Sequence, residues 1–98
     1  MIFKRKKYET YGEGGLYEGV NEATTSPINS NKGCRIHISQ KREQKAVIEI
    51  INNEKLVKRL SVKGDTWITV KGSGKYWLRV FNNQDKSLKV GLSIRSLD

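Results

Sequence analysis

From residue 34 onward, apolar side chains recur at every second position in one segment after another, the period of a strand with a single buried face. CRIHISQ (34–40) sets Cys34, Ile36 and Ile38 on one side and Arg35 and His37 on the other. KAVIEIIN (45–52) places Ala46, Ile48 and Ile50 together, with Val47, Glu49 and Ile51 opposite. KLVKRLSV (55–62) turns Leu60 and Val62 inward, and TWITVK (66–71) and KYWLRVFN (75–82) continue the alternation. LKVGLSIRS (88–96) points Leu88, Val90, Leu92 and Ile94 in, and Lys89, Gly91, Ser93 and Arg95 out. KREQ, NNE, KGD, GSG and NQDKS separate these runs with turn residues. Strands at about 8–12-residue spacing with no helical period predict an all-β fold, an antiparallel β-sandwich of six to seven strands. A small β-barrel is the second choice.

The first third of the chain is less regular. MIFKRKKYETYGEGG (1–15) has no sustained period and ends in glycines, so it is expected to be a flexible basic, Gly-rich arm. Residues 16–98 form the single sandwich domain, with the seventh strand drawn from LYEGVNE (16–22). ATTSPINSNKG (23–33) holds the only proline, Pro27, and is expected to be a polar loop.

One segment carries more than packing. If GSG (72–74) joins its flanking strands as a hairpin, a symmetric register pairs Val70 with Tyr76 and Ile68 with Leu78 on the core face. The other face then sets Thr69 opposite Trp77 and Trp67 opposite Arg79, with Phe81 alongside and Lys71 and Lys75 flanking the turn. Aromatic rings stack on sugars and bases, and Arg and Lys hold anionic groups. Trp67, Trp77, Arg79, Phe81, Lys71 and Lys75 are therefore the candidate binding residues. The competing reading covers this face with Leu16, Tyr17 and Val20 of the N-terminal segment, or with a partner subunit, because a bare apolar patch of this size is unusual on a monomer.

Composition narrows the function classes. At 98 residues, 36% hydrophobic and 30% charged, the chain suits one folded domain. Its net charge is +9, with four bases in KRKK and fifteen bases against six acids in residues 31–98. Such a surface favours acidic partners: nucleic acid, anionic cell-wall polymer or lipid headgroups. No apolar run approaches the roughly 20 residues of a membrane helix. No apolar stretch follows the basic start, so Met1 as native start would mean a cytoplasmic protein, and a trimmed leader an extracytoplasmic one. Cys34 reads as a small buried hydrophobe and His37, of opposite parity, as a surface residue. One His and one Cys among scattered serines give no nucleophile constellation, zinc set or calcium loop, and no phosphate-cradling motif is present. The expectation is a non-enzyme with no cofactor, no metal and no catalytic residue.

GSGKYWLRVFNNQDKSLKVGLSI (72–94) resembles the closing hairpin of small secreted bacterial β-sandwich modules, the pre-peptidase C-terminal domains. Gly74, Tyr76, Leu78, Arg79 and Val80 carry the resemblance, with Lys75 and Trp77 at its variable places, over about a quarter of the chain. It implies the fold and no binding residue. Together these features suggest a non-catalytic, extracytoplasmic binding module that contacts a cell-envelope polymer, carbohydrate or protein through the aromatic-plus-Arg face. A cytoplasmic nucleic-acid-binding or phage-type regulatory protein is the alternative, motivated by the basic surface and the KRKK arm. A structural assembly subunit, forming oligomers through open edges or the aromatic face, is the third.

Overall fold

The computed structural model describes residues 15–18, 22–81 and 89–98, the first of these as backbone only. The expected loop NQDKS, the inward Leu88 and most of the expected arm lie outside the described residues. The alternating runs form two antiparallel sheets packed face to face, an open β-sandwich. Nine strands are described: β1 (Gly15–Glu18), β2 (Glu22–Thr24), β3 (Ile28–Ser30), β4 (Gly33–Ser39), β5 (Lys45–Asn52), β6 (Lys55–Lys63), β7 (Thr66–Lys71), β8 (Gly74–Phe81) and β9 (Lys89–Ser96). One sheet runs β1-β9-β4-β7; the other runs β2-β8-β5-β6, with β3 also paired to β8.

The expected inward faces meet between the sheets. Cys34, Ile36 and Ile38 of β4 and Val90, Leu92 and Ile94 of β9 come from one sheet; Ala46, Ile48 and Ile50 of β5 and Tyr76, Leu78 and Val80 of β8 come from the other. All are essentially excluded from water, and each large aliphatic side chain so buried contributes about 1.5–3 kcal/mol. Burial pushes the Cys34 thiol up to about 12. The Tyr76 hydroxyl reaches out of the core and donates to the Gly72 carbonyl at 2.7 Å.

β5 and β6 form a two-residue hairpin. Asn53 and Glu54 both have positive φ, 52° and 68°, the geometry whose twist matches the flanking strands. Asn53 ties the turn to β8: its N–H donates to the Lys75 carbonyl at 2.9 Å, and its Oδ1 accepts from the Lys75 N–H at 3.1 Å.

Two expectations need correction. Residues 23–33 are not simply a polar loop, because β2 and β3 within them line the free edge of β8. Between them Thr25 maintains the ladder: its N–H donates to the Leu78 carbonyl and its Oγ1 accepts from the Leu78 N–H, both at 3.0 Å. The second concerns GSG, which does not close a hairpin. β7 pairs with β4 and β8 with β5, so the turn carries the chain from one sheet to the other. Gly74 at φ +150° lies under Asn52, whose side chain leaves no space for a Cβ there. β8 and β9 likewise lie in different sheets and do not pair as a closing hairpin.

Candidate functional site

The six sequence-predicted residues divide between the two outer faces of the sandwich. Trp67 and Lys71 are on β7, in the sheet with β4, while Lys75, Trp77, Arg79 and Phe81 are on β8, in the sheet with β5. All keep their expected outward parity. The tryptophans nevertheless belong to opposite surfaces.

The β8 side is built from rows of side chains set by strand register. Glu22, Phe81, Val47 and Ser61 make one row across β2, β8, β5 and β6. Thr24, Arg79, Glu49 and Arg59 make the next. Trp77, Ile51 and Leu56 make the third, beyond a bulge that shifts β6 between Ile50 and Ile51. The middle row is a charge triad. Glu49, only 8% exposed, holds Arg79 Nη1 at 3.3 Å on one carboxylate oxygen and Arg59 Nη1 at 3.4 Å on the other. Glu22 adds a second carboxylate 3.5 Å from Arg79 Nε.

These arginines also lie against the neighbouring aromatics. The Arg79 guanidinium is 5.2 Å from the Trp77 ring centroid and 5.8 Å from that of Phe81, and Arg59 is 5.4 Å from Phe81. Each such contact is worth about 0.5–1 kcal/mol at a partly exposed site. The result is a flat surface of rings and guanidinium planes whose charges are matched from within. Its β6 border exposes Leu56 and Val57, 57% and 48% accessible. Lys75 stands apart, beside a shallow polar depression lined by Asn29, Asn53 and Asp98.

Sequence reasoning missed Glu49, Arg59 and Glu22 as parts of this surface. The available signal was Glu49 itself, a carboxylate in the middle of the otherwise apolar AVIEII run.

The β7 side is different. Trp67, 51% exposed, stacks on His37 with ring centroids 4.0 Å apart and planes 3° from parallel. The Arg35 guanidinium is 4.8 Å from the same tryptophan ring. The N-terminal segment does not lie across either face where it is described: β1 extends one sheet at the β9 edge, and β2 and β3 extend the other at the β8 edge.

Among the described residues, no group of three or more His, Cys, Asp or Glu is placed to hold a metal ion. No helix there is long and apolar enough to cross a membrane. No protein-family model and no curated protein matches the chain by sequence. Its fold is similar to that of the pre-peptidase C-terminal domain of a collagenase from Bacillus anthracis, with TM-score 0.56 and 15% identity over 84% of this chain and 89% of that one. It is also similar to a periplasmic inhibitor of g-type lysozyme from Aeromonas hydrophila, with TM-score 0.53 and 13% identity over 84% and 81%. The resemblance read from residues 72–94 is thus met at the level of the whole sandwich.

Proposed function

We propose that the chain is a non-catalytic binding module whose recognition surface is the outer face of the β2-β8-β5-β6 sheet, with a protein as its partner. The Arg79–Glu49–Arg59 row carries this reading. Both guanidinium groups are already countered by a buried carboxylate, so the face is poorly suited to gripping a polyanion. It is well suited to a protein surface, where Trp and Arg supply much of the binding energy from the centre of an interface. Arginines held against rings and a carboxylate lose little further freedom on association, which removes part of the cost of binding. The lysozyme inhibitor of similar fold offers a precedent for a sandwich of this size acting through a protein contact.

The test is position-dependent photo-crosslinking in the cells that make the protein. A photoreactive residue at Ser61, beside Val47 and Phe81 in the first row, is expected to yield a discrete protein adduct. The same residue at Thr69, on the opposite sheet, is expected to yield none. Trp77→Ser combined with Phe81→Ser should abolish the Ser61 adduct while the circular dichroism of the fold is retained. An adduct from Thr69 alone, or one indifferent to the double substitution, would refute the assignment.

A further inference from the structure

The opposite face presents arginines in a different electrostatic setting. Arg35 on β4 stands directly across from Arg95 on β9 and from Thr69 on β7, and the adjoining row places Lys71 beside Gly33. Arg35, Arg95, Lys71, Thr69 and Trp67 are all exposed, whereas Gly91 and Ser93 further along β9 are buried. The open part of this face is therefore the exposed stretch along β4 and β7 together with the Arg95 end of β9, separated from the exposed Lys89 by the buried Gly91 and Ser93. None of its three cations forms an ion pair among the described residues. Asp98, beyond the end of β9, is already engaged, accepting from the backbone N–H groups of Asn31 and Lys32 at 2.9 Å each. On the first face each arginine has its glutamate; here two arginines oppose one another without one.

Like charges directly opposite destabilise a sheet, so this arrangement gains stability when an anion bridges it. The exposed groups here are guanidinium, ammonium, hydroxyl and indole N–H. Among the described residues of β4, β7 and β9, no carboxylate or amide stands on this face to accept from sugar hydroxyls, which argues against a neutral saccharide. The half-exposed Trp67 ring, packed by His37 and Arg35, adds a surface for a flat apolar group. We propose that this face binds single-stranded nucleic acid, with phosphates bridging Arg35, Arg95 and Lys71 and a base packing on the open part of Trp67. The site is on the sheet opposite the proposed protein-binding surface, and the two stand or fall separately.

The experiment is a titration of the 15N-labelled wild-type chain with a 12-nucleotide oligothymidylate, following the two indole N–H signals, with Trp67 assigned through Trp67→Phe. The Trp67 signal is expected to shift and that of Trp77 to stay in place. Three phosphate contacts predict a slope of about −2 for log K against log salt concentration. Arg35→Gln combined with Arg95→Gln should weaken binding at least tenfold and reduce the slope to about −0.7. Lys58→Gln on β6 should leave the Trp67 shift intact. Inorganic polyphosphate of equal charge binding as tightly as the oligonucleotide would reduce the patch to a nonspecific cationic surface and overturn the proposal. Shifts confined to Trp77, or no binding at low salt, would overturn it as well.

Discussion

Replacing Glu49 by Gln probes the electrostatic centre of the first face. The substitution keeps the shape and one acceptor while removing the charge that two arginines share. Attraction between unit charges near 4 Å is roughly 4 kcal/mol at an effective dielectric constant of 20, and burying the carboxylate offsets several kcal/mol of it. Two limits bracket the net effect. Breaking a fully buried pair costs about 3–5 kcal/mol, and breaking a surface pair about 0–1. Glu49 is on the buried side of that range with its side chain 11% accessible, but Arg59 is 60% accessible and recovers its hydration when released. Arg79, at 33%, recovers less and keeps only the exposed Glu22. The expected loss is about 2 kcal/mol, equivalent to roughly 10 °C in Tm for a domain of this size. Urea denaturation of Glu49→Gln, Arg59→Gln, Arg79→Gln and the two double variants measures it. The Glu49–Arg79 coupling should be about 1–1.5 kcal/mol, and the Glu49–Arg59 coupling below about 0.5. An unchanged or raised midpoint for Glu49→Gln would mean that desolvation outweighs attraction, and the idea of a surface organised by this carboxylate would be wrong.

Thr25→Val should cost about 1–3 kcal/mol in the same assay, because the buried Leu78 N–H loses its acceptor, and Thr25→Ser should restore most of it. With its thiol pushed up to about 12 by burial, Cys34 should not react with a disulfide reagent in the native protein at pH 8. Full reaction should follow in urea; rapid native-state reaction would contradict the packing. Asp98 is held below the usual carboxylate range, first by the Asn31 N–H and then by the Lys32 N–H and the Ser30 and Ser96 hydroxyls. Its contribution to stability is therefore complete above the unfolded value of about 3.9 and is lost as pH falls through the lower folded value. Wild type and Asp98→Asn should differ in Tm at neutral pH and converge in strong acid, while a difference that persists there would exclude this carboxylate as its source.

The strands from β4 to β9 were legible because period-two alternation runs through β4, β7, β8 and β9 and parts of β5 and β6, and turn residues separate them. β2 and β3 were not, since three residues are too few to show a period and Pro27 between them reads as loop. Their ladder depends on a threonine hydroxyl standing in for a strand residue, and composition does not reveal that. Trp67 and Trp77 take the outward positions that alternation gives them, but the hairpin register that would set them on one face does not form. Alternation distinguishes in from out and says nothing about which of two sheets a strand joins. A three-residue GSG turn fits a hairpin equally well, and the crossing is visible only in the pairing of β7 with β4 and of β8 with β5. Glu49 and its arginines escaped notice for a related reason: their meeting requires β6, β5 and β8 side by side, and β8 is more than twenty residues from β5 in the chain.

β9 is the central partner of its sheet, paired on one side to β4 and on the other to β1, the earliest strand described. During synthesis that sheet has only its β4–β7 pair until residues 89–96 emerge, and Ile36 and Ile38 lack their cross-strand partners Ile94 and Leu92. Completing the sheet joins segments some seventy residues apart, a topology that places folding in milliseconds to seconds. Until β9 docks, the growing chain displays an unpaired β4 edge rich in isoleucine, the kind of surface that chaperones hold and that aggregates recruit.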